Sequence, residues 1–83
     1  MNAAAVQSLI EAGLPGAQVR VASNDDTHFE AVIVATQFAG QRMIQRHQLV
    51  YATLGALMGR EIHALSMQVL TPEEARSAGA AGR

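Results

Sequence analysis

No cysteine occurs anywhere in the 83 residues. The chain therefore forms no disulfide, and it supplies none of the thiolates of a zinc finger or a self-contained iron–sulfur site. Lysine is absent as well, so all six fixed positive side chains are arginine. A formal net charge of −1 leaves no broad basic surface for tracking phosphates. Tryptophan is missing and the aromatics reduce to Phe29, Phe38 and Tyr51, so Val, Ile, Leu, Met and Ala must build the core. No apolar run approaches the ~20 residues of a membrane-spanning helix. The opening MNAAAVQSLIEAGL carries Glu11 and no basic residue before Arg20, a pattern unlike a secretory signal or an Arg-rich transit peptide. These absences read as a soluble, cytoplasmic protein with no membrane partner.

What is present is apolar enough to fold: hydrophobic residues make up 49% of the chain, and its length suits one domain. Residues 2–12 predict a helix with Val6, Leu9 and Ile10 on one face, and Gly13 fits the left-handed position past its end. Leu14–Pro15–Gly16 breaks it. Gln18–Ser23 alternates as a strand, Asn24–Asp26 is a polar turn, and Thr27–Ala35 is a second strand, a pattern that predicts an antiparallel hairpin. Between Gln41 and Met58 the period becomes helical. Met43, Ile44, Val50, Tyr51, Leu54, Leu57 and Met58 form an apolar stripe broken by Arg42, Gln45, Arg46 and Gln48, with room for a split near Arg46–His47. Ile62–Leu70 is the third strand, with His63, Leu65, Met67 and Val69 on one face. Thr71–Pro72–Glu73–Glu74 starts a helix, with Thr as N-cap, Pro at the first position and Glu closing a capping box. The expected organisation is a single domain over residues 1–76 and a flexible tail over 77–83.

A strand, a helical crossover and a further strand in one sheet imply parallel neighbours. His28 and His63 then open adjacent strands at the same sheet end, where strands lie about 4.8 Å apart. Each histidine also has a plainer reading. His28 follows a turn and suits a solvated residue hydrogen-bonded to Asp25 or Asp26. His63 suits a satisfied core histidine, and His47 a helix-packing residue. Catalysis has little to stand on. Ser66 falls on the opposite strand face from His63, Asp25 and Asp26 are adjacent turn carboxylates, and no Gly-rich phosphate loop is present. The chain reads as a non-enzyme. Arg42, Arg46 and Arg60 flank the long helix beside His47, and a split helix there suits a helix-turn-helix contact to DNA.

Three motifs in order carry a family resemblance. Phe38–Ala39–Gly40–Gln41–Arg42, then Arg46–His47–Gln48–Leu49–Val50–Tyr51–Ala52–Thr53–Leu54, then Ile62–His63–Ala64–Leu65–Ser66 resemble the BolA-like proteins over about residues 5–76. Thr27–His28–Phe29 and Thr71–Pro72–Glu73 fit as well. The short Asn24–Asp26 turn resembles the compact bacterial subgroup often called IbaG or YrbA. The resemblance implies an α+β fold of the class II KH-like type, αββ(αα)βα, with a three-stranded mixed sheet and helices on one face. It also implies partnership with a monothiol glutaredoxin and a shared [2Fe–2S] cluster, to which the glutaredoxin and glutathione give thiolates. On that basis His63 maps to the ligand of the H-A-L motif and His28 to the second ligand. Imidazole ligates only when neutral, so acid should release such a cluster. DNA binding through Arg42, Arg46, His47 and Arg60 is the alternative the family suggests. A GXXG loop for single-stranded RNA is absent from Gly40–Met43. Alone, the chain is expected to be a monomer or a weak homodimer without cofactor.

Overall fold

The computed structural model describes residues 1–81. Asn2 starts the first helix: its Oδ1 accepts the Ala5 N–H at 2.8 Å, satisfying one of the donors a helix start leaves free. α1 then runs Ala3–Gly13 and buries Val6 and Ile10. Gly13 departs from expectation. It is helical, and the left-handed residue is Gly16, at φ 83°. The reason for glycine at position 13 is tertiary, because a Cβ there would overlap Thr53 Cγ2 on the neighbouring helix.

Two strands follow, β1 (Gln18–Ala22) and β2 (His28–Val34), paired antiparallel from Gln18↔Val34 to Ala22↔Glu30. The period of two places Val19, Phe29, Ala31 and Ile33 on the buried face. A single 3₁₀ turn, Thr36–Phe38, drives Phe38 into the core with no exposed surface. α2 spans Met43–Leu54 without interruption. No break falls at Arg46–His47, where the sequence left room for one. The helix instead ends at Gly55, whose φ of 55° and ψ of −132° suit glycine alone, and a 3₁₀ turn Gly55–Leu57 follows.

β3 is shorter than the pattern predicts, running Ala64–Leu70 parallel to β2 with His28↔Ala64 and Val34↔Leu70 at its ends. The sheet order is β1-β2-β3, the mixed three-stranded sheet expected. Ile62 is captured before the strand begins. Its N–H donates to the Leu57 carbonyl at 3.0 Å, and its carbonyl accepts the Gly59 N–H at 2.8 Å. Ile62 is fully buried, and His63 is turned out to solvent rather than sharing the inner face of Leu65, Met67 and Val69. α3 (Pro72–Ala81) opens with the reciprocal box the sequence announces. The Thr71 N–H donates to Glu74 Oε1 at 2.9 Å and the Glu74 N–H to Thr71 Oγ1 at 3.2 Å. The helix runs to Ala81, past the domain boundary expected at residue 76; residues 82 and 83 of the expected tail lie outside the described residues.

Candidate ligand site at the sheet end

The turn between β1 and β2 is built around two short polar side chains. Ser23 Oγ donates to the His28 carbonyl at 2.6 Å and accepts the Asp26 N–H at 3.0 Å. Asp25 Oδ1 accepts the Thr27 N–H at 3.0 Å and the His28 N–H at 2.9 Å. Asp26 takes the left-handed conformation at φ 57°, which Asp tolerates better than most residues. The His28 backbone N–H, then its imidazole, then the Thr27 N–H hold the Asp25 carboxyl well below the usual carboxylate range. An ionised carboxylate only accepts, so His28 Nδ1–H donates to Asp25 Oδ2, at 2.7 Å. That leaves Nε2 of an exposed ring as the open nitrogen, the arrangement in which a carboxylate fixes tautomer and orientation for a ligand histidine.

His63 stands one residue before β3, as Thr27 stands one residue before β2, and the His63 N–H donates to the Thr27 carbonyl at 3.1 Å. Parallel pairing thus brings the backbones of both histidines to one sheet end, as the strand order implied, and both side chains are exposed. The open-face cavity beside His28, of about 390 Å³, is lined by Ser23, Asp25, His28, Glu30, Ala64 and Ser66, and His63 stands outside that lining. Among the described residues, no three His, Asp or Glu side chains converge to hold a metal ion. Two imidazoles are a partial donor set, and a centre here needs ligands from outside the chain.

The four residues of the nucleic-acid reading are scattered. Arg42 is exposed at the start of α2, its N–H donating to Gln45 Oε1 at 2.8 Å. Arg60 is exposed beyond the other end of the helix, which is about 18 Å long. His47 is half-buried with its ring edge-on to Tyr51, centroids 6.4 Å apart. Arg46, expected on the surface, is 7% exposed. Its Nε donates to the Gln41 carbonyl at 3.0 Å, and its Nη1 donates to the Val69 carbonyl at 3.1 Å and to Glu74 Oε1 at 2.6 Å. The guanidinium also lies over the Phe38 ring, 5.9 Å from its centroid. Arg46 is therefore a brace joining α2, β3 and α3, with no donor directed at a duplex. Sequence reasoning missed this because an arginine on a helix reads as solvated. The available signal was its i, i+4, i+8 spacing with Val50 and Leu54, which are both buried. Met43 and Ile44, expected in the buried stripe, are 55% and 62% exposed.

The brace has a pH signature. Hydrogen bonds from Arg46, then from the Thr71 N–H, hold Glu74 down to about 2 from its ordinary 4.5. A carboxyl with a lowered folded-state value stabilises the fold above its unfolded value, and that contribution disappears as pH falls through the folded value. The melting temperature should therefore drop as pH falls from about 4.5 towards 2, and Glu74→Gln should flatten that limb while leaving the remaining loss due to Asp25. Thermal melts by circular dichroism read the difference. Parallel acid limbs in the two proteins would rule the brace out as a source.

Residues 8–74 match the family model described as BolA-like protein. The chain belongs to the BolA-like family. Among solved structures it resembles a bolA protein homologue from Coxiella burnetii, with TM-score 0.76 and 41% identity over 92% of this chain and 97% of that one. An uncharacterised protein from the rpoN-murA intergenic region of Acinetobacter guillouiae is 36% identical over 99% of both chains. The DNA-binding transcriptional regulator BolA of Haemophilus influenzae is 43% identical over 59% of this chain, a match that spans 48% of that relative.

Proposed function

We propose that the chain is a non-catalytic cytoplasmic adaptor that binds a monothiol glutaredoxin and co-ligates a [2Fe–2S] cluster, in iron–sulfur trafficking or in iron and stress regulation. The observation that carries this reading is the placement of two exposed histidines at one end of the β2–β3 pair, one of them oriented by an ionised carboxylate. The donor set fits the group. A cysteine-free chain offers nitrogen only, so glutaredoxin and glutathione would bring the thiolates, while His63 and the Nε2 of His28 would serve as the nitrogen ligands. Replacing thiolate by imidazole removes negative charge, and a cluster so held has a raised reduction potential, as in Rieske centres. The short Asn24–Asp26 turn supports placement in the compact bacterial subgroup.

Co-expression with a monothiol glutaredoxin tests this directly. A coloured heterocomplex should elute together, His63→Ala should abolish the colour, and His28→Ala should weaken it. Asp25→Asn, which removes the charge that orients His28, should destabilise the cluster less than either. Colour that survives His63→Ala would overturn the assignment.

A second reading, a DNA-binding regulator, draws support from the name of the Haemophilus influenzae relative. It would have to work through Arg42, His47 and Arg60, because Arg46 is engaged in the brace. A salt-dependent duplex shift lost on Arg42→Ala and Arg60→Ala, and indifferent to His63→Ala, would favour it.

A further inference from the structure

We propose that the outer edge of β3 is where a second copy of this chain adds to the sheet, pairing antiparallel about a two-fold axis beside Ser66. Both β1 and β3 are edge strands, and an edge presents unpaired N–H and C=O groups that proteins usually block. The β1 edge carries such a block: Gln7 reaches down from α1 and its Oε1 accepts the Val21 N–H at 3.2 Å. β3 is different. Its Leu70 carbonyl faces β2, accepting the Ala35 N–H at 2.9 Å, and its Val69 carbonyl faces away, accepting from Arg46 at 3.1 Å. Groups alternate along a strand, so the N–H and C=O of Leu65 and Met67 face outward too. Among the described residues, no hydrogen bond outside the sheet ladder reaches them.

The strand Ala64–Leu70 has no charge, proline or glycine, the devices that ordinarily keep an edge from pairing. Its inward Leu65 and Met67 are only half-buried, as on a strand whose outer side is uncovered. The occupant follows from this chemistry. An uncharged strand is complementary to itself, a closed two-fold contact uses the same patch twice, and a net charge of −1 opposes association little.

Register follows from the Arg46 brace. An axis beside Ser66 pairs Leu65 of each copy with Met67 of the other, and each pair exchanges two backbone hydrogen bonds. An axis at Met67 would instead pair Leu65 with Val69, whose carbonyl Arg46 already holds. In the favoured register the two Ser66 residues face each other as a closely spaced, non-hydrogen-bonded pair. So short a strand contact falls below the roughly 1,200 Å² of a stable interface. Dimers should therefore accumulate only towards roughly millimolar concentration.

Sedimentation equilibrium on the full chain should show monomer passing to dimer as concentration rises. Met67→Pro removes one outward N–H while leaving the β2 ladder intact, and should abolish the dimer without loss of the circular dichroism signal. The natural absence of cysteine gives a clean second test that leaves the backbone intact. Ser66→Cys at high concentration, with oxidised glutathione as oxidant, should form an intermolecular disulfide, whereas Gln68→Cys should not. A wild type that stays monomeric to millimolar concentration overturns the proposal, and so does a dimer that survives Met67→Pro. Crosslinking of Gln68→Cys as readily as Ser66→Cys overturns the register and the proposal with it.

Discussion

Phe38→Ala is expected to remove a large share of the stability of the fold at 25 °C. Phe38 has no exposed surface and lies on the 3₁₀ turn that carries the chain from β2 to α2. Truncating a buried Phe to Ala removes about 3–5 kcal/mol, through lost transfer energy and the cavity left behind. A domain of this length has a total stability of roughly 4–12 kcal/mol at 0.05–0.15 kcal/mol per residue, so the deletion takes much of what is available. The ring also lies beneath the Arg46 guanidinium, whose hydrogen bonds run to the carbonyls of Gln41 and Val69 and to Glu74. Loosening that arginine reaches α2, β3 and α3 together. Urea unfolding should give a much lower midpoint for Phe38→Ala, while Phe38→Leu, which refills much of the volume, should remain folded. A midpoint unchanged by Phe38→Ala would mean that the core does not depend on this ring.

Which of these features the sequence announced divides along a physical line. The element order, the hairpin, the parallel β2–β3 pairing and the Thr71 capping box were legible, because each rests on a local period or on side chains three residues apart. The placement of His28 and His63 at one sheet end followed from strand order alone. Features decided by contacts between distant segments were not legible. Arg46 is buried because Glu74 and the Val69 carbonyl, 28 and 23 residues away, satisfy it; its spacing with Val50 and Leu54 marks the shared face but not these partners. Met43 and Ile44 are exposed because α2 buries the line through Arg46, Val50 and Leu54, which an apolar count cannot separate from its neighbours. His63 leaves the inner face because Ile62 is fixed first by the Leu57 and Gly59 backbone. That shift makes the imidazole available, and it comes from the loop rather than from the strand that carries the motif.

Gly13→Ala should destabilise the fold, although helix propensity predicts the opposite. In an exposed helix the exchange gains roughly 1 kcal/mol, because glycine has more backbone freedom to lose. Here the last residue of α1 packs directly against Thr53 of α2. An added Cβ would overlap Thr53 Cγ2, stand 2.7 Å from Thr53 Cβ and 3.4 Å from its Cα. The threonine has little room to turn away, because its Oγ1 donates to the Val50 carbonyl at 2.6 Å. The overlap with Cβ survives any rotation of the side chain. The helices must therefore separate, and overpacking of this kind costs about 1–3 kcal/mol or more, enough to exceed the propensity gain. A double-mutant cycle isolates the cause. Thr53→Gly alone should lose roughly 0.3–0.5 kcal/mol of helix propensity, yet combined with Gly13→Ala it should recover stability, giving a coupling of at least ~1 kcal/mol. Chemical denaturation of the four proteins reads all terms of the cycle. If Gly13→Ala instead raised the midpoint, the α1–α2 contact would be too loose to select glycine, and the close approach at Thr53 would not be what fixes this position.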